Sequence, residues 1–305
     1  MSLPAVMSPF PNCAEVFAVV TTFRPDNRFP GRVERILPQV GGVVIVNDGG
    51  TDDSVGKLNR WFAGKKGVRL HHNTVNAGIA ASLNRGVAVA RENGFRWILT
   101  LDDDSVVRSD MVERLIDGLK GIRLEKPVGI IGMSWAGSGE IGKRAPAGED
   151  GAFLEKRGII TSGSLFSLET YDRVGPFREE FFIDSVDLDY CLRARRKGFA
   201  VVRLKEIGFV HSIGASRVVR FMGIPVLMED QKPFRVYYGY RNGTVLALEC
   251  LGKDPLYSMA FVVGQAKKFF RIALFERKKA EKLRYAARGL RDGWRRNLGR
   301  RFPGA

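Results

Sequence analysis

Histidine, cysteine and long apolar runs are what this sequence has least of. It contains 3 His and 3 Cys in 305 residues. Cys13, Cys191 and Cys250 lie far apart with no CxxC pair, which argues against a disulfide framework or a zinc site and for a reducing, cytoplasmic setting. No stretch reaches the ~18 apolar residues that a spanning helix needs. No charged segment leads into an apolar run at the start, so a signal peptide is not expected. GxGxxG is missing after the first apolar run, which disfavours a dinucleotide-binding dehydrogenase. A Gly-rich phosphate loop with Lys or Arg is missing there too, which disfavours a nucleotidyltransferase. Repeats and low-complexity segments are also lacking.

Acids are the scarcer charge: 33 Asp and Glu against 49 Lys and Arg give a net charge of +16. From Lys267 onward, 14 basic residues face three acids (Glu276, Glu281, Asp292), so this tail alone carries +11. Such a tail suits anionic lipid headgroups or nucleic acid, or is simply a solvated helix face. The 45% hydrophobic content is that of a globular protein.

The first hundred residues alternate in rhythm. Apolar runs at 15–22, 42–47, 67–71 and 95–101 read as buried strands. Residues 31–40 and 77–93 carry helical spacing, and Thr51 to Ser54 offer N-caps for another helix. Strand and helix in alternation mean a parallel sheet covered on both faces, with ligands beyond the carboxyl ends of the strands. Further on, 158–168 reads as a strand pair or a strand with a Gly break. Residues 186–197 read as a short helix, 199–204 and 206–211 as strands, and the chain from about 233 as helical. The expected division is a catalytic domain over 1–232 and a basic amphipathic helical region over 233–305.

The polar clusters follow the strands. Asp102 and Asp104, alternate residues at the end of the 95–101 strand, can face one side together. Two converging carboxylates repel unless a cation lies between them, and oxygen ligands suit Mg²⁺ or Mn²⁺ bridging a diphosphate. A turn with capping aspartates before Ser105 is the alternative; the position after a buried strand favours the metal. Asp48 opens a Gly-rich turn where a carboxylate can accept hydrogen bonds from a pyrimidine imide. Asn76-Ala77-Gly78 is a flexible loop before a helix N-terminus, which favours anions. Asp184, Asp187 and Asp189 crowd a helix start. Three acids exceed what capping requires, so one is a candidate general base, while Asp189 and Arg193 have the spacing of an i,i+4 pair. A lone strand-end residue such as His211 is more often structural.

These pieces, in this order, resemble inverting GT-A glycosyltransferases of family 2, and within it the bacterial rhamnosyltransferase-like branch. The matching residues are 20–25 (VTTFRP), 46–49 (VNDG), 76–84 (NAGIAASLN), 102–105 (DDDS), 161–164 (TSGS), 182–193, 210–212 (VHS), Tyr237-Tyr238 and Arg241-Asn242. They span roughly 15–245. The resemblance implies a Rossmann-like, mostly parallel α/β sheet with a C-terminal helical appendage. It implies that Thr21, Arg24 and Asp48 line the nucleoside pocket, with Asn76, Gly78 and Asn84 near base and ribose. Asp102, Asp103 and Gly163 would adjoin the donor, and Asp102, Asp104 and His211 would hold the metal. Asp187 aligns with the family's base. This chain has Val186-Asp187 where many relatives have Glu-Asp, so Asp184 is the reserve. The segment after His211, through Arg217 and Arg220, is a candidate lid.

The expected reaction moves a sugar from a nucleoside-diphosphate donor to a lipid-linked or cell-surface glycan. dTDP-rhamnose is the first choice of donor and UDP-galactofuranose the second. Ala280, Leu283, Ala287, Leu290, Trp294 and Leu298 form an apolar stripe in a basic helix, suited to the cytoplasmic membrane surface or to packing on the domain. The rival from another class is a basic nucleic-acid- or membrane-binding protein without catalysis. No nucleic-acid motif supports the former, so no nucleic-acid partner is expected.

Overall fold

The computed structural model describes residues 10–49, 51–136, 152–210, 216–221, 224–229 and 231–302. In chain order it begins β1 (Val16–Thr22), α1 (Phe29–Ile36), β2 (Gly42–Asn47), α2 (Asp52–Phe62), β3 (Val68–His72), α3 (Ile79–Glu92), β4 (Trp97–Asp102), β5 (Val106–Val107) and α4 (Met111–Gly121). It continues β6 (Val128–Ala136), β7 (Phe153–Glu155), β8 (Ser164–Ser167), α5 (Leu168–Val174), α6 (Val186–Arg196) and β9 (Ala200–Val210). Last come β10 (Ser216–Phe221), β11 (Ile224–Glu229), α7 (Pro233–Cys250), α8 (Pro255–Phe275) and α9 (Lys279–Trp294).

Contacts divide the chain into two compact units. The first comprises Met1–Asn76, Ser82–Phe177 and Tyr190–Ser212; the second comprises Ala77–Ala81, Arg178–Asp189 and Ile213–Ala305. A cut at 232/233, the division expected from sequence, leaves 77–81, 178–189 and 213–232 with the sheet. Buried side chains of α7, described below, hold the second of them in the helical unit.

In the first unit the sheet runs β3-β2-β1-β4-β8-β6-β9-β5, with β7 also on β9. β1 to β4 are mutually parallel, β8 runs antiparallel between β4 and β6, and β6 and β9 are parallel. β1 and β2 are buried at every position, as two-faced cover requires. On one face Phe29, Val33 and Ile36 of α1 join Leu58 and Phe62 of α2 and Met111 and Leu115 of α4 in the core. On the other, α3 comes so close that a Cβ on Gly86 would stand 2.1 Å from Val19.

Three elements differ from expectation. α1 begins at Phe29, and its continuation over Leu37–Gln39 is a 3₁₀ turn around Pro38, which has no N–H for an α-helical bond. Only Ser164–Ser167 of the 158–168 stretch is a strand. The two expected strands over 199–211 are one, because register shifts against β6 absorb the polar Lys205-Glu206 step.

In the second unit α7 is buried on nearly all sides. α9 lies against it through small residues: a Cβ on Gly289 would meet the Tyr237 carbonyl oxygen at 2.5 Å, and one on Gly293 the Arg241 carbonyl oxygen at 2.5 Å. Lys282 and Glu276, both buried, pair at 2.8 Å. The docked face of α9 is therefore Lys282, Ala286, Gly289 and Gly293. Of the apolar stripe read from the sequence, Leu283 packs against Val236, Tyr240, Ile272 and Ala286, while Leu290 and Trp294 are exposed. α8 exposes more: Leu256, Met259, Val262, Val263, Phe269, Phe270 and Leu274.

Candidate active site

The register of β1 brings the polar clusters of the first unit to one edge. Thr22 pairs with Asn47 and Thr21 with Asp102, so the turns after β2 and β4 flank the end of β1. Asp48 is buried, and its Oδ1 accepts from Asn73 Nδ2 at 3.1 Å, an amide that also donates to Ser82 Oγ at 3.1 Å. Gly49 has φ +65°, and a Cβ there would stand 2.0 Å from the Asn76 nitrogen. The Asp48 turn thus packs backbone to backbone against Val75-Asn76, which only glycine allows. Arg24, also left-handed at φ 58°, stacks 5.0 Å over the Phe23 ring.

The three aspartates divide their work. Asp103 Oδ2 accepts from the Thr22 hydroxyl at 2.6 Å and from the Phe23 N–H at 3.3 Å, and Arg32 Nη1 donates to the Asp103 carbonyl oxygen at 2.8 Å. Burial pushes the Asp103 pKa up against the Thr22 hydrogen bond. Asp103 therefore fastens the turn to β1. Asp102 and Asp104, on either side of it, supply the hard carboxylate oxygens that Mg²⁺ or Mn²⁺ takes. Among the described residues no group of three His, Cys, Asp or Glu forms a metal cluster. His211 lies outside the described residues. Val210, just before it, pairs with Val106, two residues beyond Asp104.

A brace for this turn comes from 161–164. Ser162 Oγ accepts from the Asp102 N–H at 3.1 Å and lies 2.7 Å from Ser105 Oγ. The Gly163 N–H reaches the Thr100 carbonyl oxygen at 2.8 Å, and a Cβ on Gly163, at φ +75°, would stand 2.5 Å from the Phe209 ring. Sequence signalled this stretch as a glycine break and, by resemblance, as a motif that puts Gly163 beside the donor. Asn84 is employed structurally as well. Its amide donates to the Phe177 carbonyl oxygen at 2.9 Å and accepts from the Phe177 N–H and the Tyr171 hydroxyl, each at 2.8 Å.

The acidic loop belongs to the second unit. Asp187, in the first turn of α6, accepts from the Leu188 N–H at 2.8 Å. Burial pushes its pKa up to about 6, with the Asp184 charge adding to the rise and Arg235 opposing it. Asp184 pairs with Arg235 at 2.7 Å. Asp189 takes Arg178 at 3.3 Å, a partner that helical spacing does not foretell, and Arg178 also holds Glu249 at 3.0 Å.

Phe182, Asp184 and Ser185 all have φ between 62° and 64°. Non-glycine residues there cost on the order of 1–3 kcal/mol each, so the surroundings must hold them. They are held by α7. Asn242 Nδ2 donates to the carbonyl oxygens of Phe181, Ile183 and Asp184 at 3.0, 2.9 and 2.8 Å. Arg241 Nη2 donates to those of Glu180 and Phe181 at 2.8 and 3.1 Å. Gly78, at φ +93°, lies beneath the loop, where a Cβ would stand 2.4 Å from the Phe182 carbonyl oxygen. Sequence marked Arg241-Asn242 as a motif but gave it no task.

The sequence model described as Glycosyl transferase family 2 matches residues 18–155, which include Asp48 and the three aspartates. The chain is 27% identical over 243 residues to the dTDP-rhamnosyl transferase RfbF of Shigella flexneri, across 76% of this chain and 80% of that one. Its fold is that of TarS residues 1–349 from S. aureus, with a TM-score of 0.57 at 12% identity over 91% of this chain and 80% of that one. The Pyrobaculum calidifontis mannosyltransferase PcManGT, solved with GDP-Man and Mn²⁺, matches with a TM-score of 0.55 at 14% identity over 94% and 79%. The chain thus has the GT-A fold with C-terminal helices. Among the described residues no helix is long and apolar enough to cross a membrane.

Proposed function

We propose that the enzyme transfers rhamnose from dTDP-rhamnose, with galactofuranose from UDP-galactofuranose as the second reading, to a hydroxyl of a lipid-linked or cell-surface glycan. The observation that carries this reading is the fastened turn at 102–105. Asp103 is tied to β1 and Ser162 braces the backbone, which leaves Asp102 and Asp104 beside the edge that also bears Asp48. Likeness to a dTDP-rhamnosyl transferase supports the donor.

In this reading Asp48 accepts from the pyrimidine, with Thr21, Arg24, Asn76 and Gly78 around the nucleoside. Asp102, Asp104 and His211 would hold Mg²⁺ or Mn²⁺, which when bound offsets charge on the diphosphate. Asp187 takes the proton from the acceptor hydroxyl as that oxygen forms its bond to the anomeric carbon. The anomeric carbon–diphosphate bond breaks in the same displacement, the nucleoside diphosphate leaves, and configuration inverts. A carboxyl titrating near 6 suits a base at neutral pH, whereas Asp184 is engaged by Arg235.

The exposed apolar residues of α8, in a strongly basic region, support residence on the cytoplasmic face of a membrane. Release of nucleoside diphosphate across a panel of nucleotide sugars with Mg²⁺ or Mn²⁺ tests the assignment. One donor turning over and stopping with EDTA is the expected result; turnover that is indifferent to EDTA and to Asp104→Ala removes the metal-bound reading.

A further inference from the structure

The second unit contains a cavity of about 500 Å³ whose walls come from the start of α6, from α7 and from α8. Asp184 and Leu188 line it at one end, Gly239 at its side, and Tyr257, Phe261 and Lys268 along α8. That volume lies within the range of small-molecule sites. The wall residues Asp184, Ser185 and Leu188 bracket Asp187 in sequence.

Two features show that the space is kept open. Gly239 and Gly264 both line it from helix interiors, where glycine is less favourable than alanine. A Cβ on Gly239 would come 3.2 Å from the Lys268 ammonium, and one on Gly264 would meet nothing within 4 Å. Aromatic rings beside open volume are the surfaces on which sugar rings lie.

The charge in the cavity has one sign to offer. Asp184 is neutralised by Arg235 at 2.7 Å. Lys268 is hydrogen-bonded at 3.0 Å to a neutral partner, the Gln231 side-chain oxygen, and stands 5.7 Å over the Tyr240 ring. Burial and the neighbouring Arg271 and Arg235 lower its pKa, while Asp184 and Glu276 oppose them. A shielded ammonium whose hydrogen-bond partner is an amide presents its charge to whatever enters.

We propose that this cavity is the acceptor site and that it takes a saccharide carrying an oxyanion, the ring against Tyr257 and Phe261 and the anion on Lys268. The inference rests on the glycosyltransferase reading of Asp187 and adds the chemistry of the acceptor.

Ligand-observed NMR titration of the full chain, with glucose 1-phosphate, the methyl glycoside of glucuronic acid, and methyl glucoside as probes, tests it. At least one charged probe is expected to bind about tenfold tighter than methyl glucoside. Preference for the phosphate assigns the oxyanion to phosphate, and preference for the uronate assigns it to carboxylate. Lys268→Met is expected to erase the preference while leaving the neutral sugar unaffected. Gly264→Leu, whose side chain grows into open space, is expected to weaken all three probes. Equal binding of charged and neutral probes, no binding of any, or a preference that survives Lys268→Met overturns the proposal. dTDP and UDP binding in the same samples separates the two readings. If neither nucleotide binds, the glycosyltransferase assignment fails; if one binds and the sugars do not, only the acceptor site fails.

Discussion

The side-chain amide of Asn242 lies 2.8 Å from the carbonyl oxygen of Asp184 and shares its N–H groups with the carbonyls of Ile183 and Phe181. A single buried residue of α7 thus holds the left-handed turn that leads into Asp187. Asn242→Leu leaves those carbonyls without their donor, at about 1–3 kcal/mol for each one that water cannot reach. The melting temperature is expected to fall by several degrees, and kcat to fall more than donor affinity does. Unchanged kcat in a folded Asn242→Leu protein would show that the turn does not set catalytic geometry.

Asp187→Asn removes the proposed proton acceptor and is expected to lower transfer by about 10²- to 10⁴-fold. In the parent enzyme kcat/KM is expected to rise with pH through about 6, because the base works as the carboxylate. The stability effect has the opposite sense. A carboxyl whose pKa is raised on folding stabilises the native state while neutral, and that contribution is lost as pH rises through about 6. Asp187→Asn is therefore expected to be the more stable protein at pH 7.5, by no more than about 3 kcal/mol, and to show no advantage at pH 4. Thermal melts at the two pH values check this.

Asp102→Ala and Asp104→Ala are expected to abolish divalent-dependent turnover, and Asp103→Asn to act differently. Asp103 holds the turn through the Thr22 hydroxyl, which an amide oxygen can also accept, so the isosteric Asn should retain metal dependence. Metal titration of kcat for the three variants separates ligands from fastener. Loss of metal dependence only in Asp103→Asn would reverse the assignment.

Gly49→Ala places a methyl 2.0 Å from the Asn76 nitrogen and demands a left-handed alanine. Soluble yield is expected to drop; where protein is recovered, nucleotide affinity should fall by about tenfold or more, measured by calorimetry with dTDP and UDP.

Membrane binding is expected to depend on α8 rather than on the last helix alone. Val262→Asp with Phe270→Glu places charge on two exposed positions and should abolish sedimentation with anionic vesicles while nucleotide binding persists. Deleting 277–305 is a poor test, because it removes α9 from α7 and Lys282 from Glu276 and should unfold the second unit. Retained vesicle binding in the double variant would place the contact elsewhere.

Periodicity made the first half of the sheet legible, since β1 and β2 are apolar runs closed by polar residues and β4 is one broken only by Thr100. It could not show β8 running backwards between β4 and β6, because strand order depends on long-range pairing that a short apolar run does not encode. The aspartates were legible as a cluster. Their division of labour was not, since the Thr22–Asp103 bond joins residues 81 apart. The docked face of α9 misled for a physical reason: close helix packing uses glycines, which carry no apolar signal, while Leu290 and Trp294 stand outside. Arg241-Asn242 was visible as a motif, but its partners are backbone carbonyls, on which a sequence is silent.

The brace at Ser162 and the pairing of Val106 with Val210 also bear on when the enzyme becomes competent during synthesis. β1 to β4 pair only among themselves until β8 arrives, so this part of the sheet can assemble while the ribosome is still working on the rest. The Asp102 turn gains its hydroxyl partner only after residue 162 emerges, and its second flank only after 210. A nascent chain stalled at 155, where the family match ends, would own every aspartate of the proposed donor site and still lack the parts that brace the Asp102 turn.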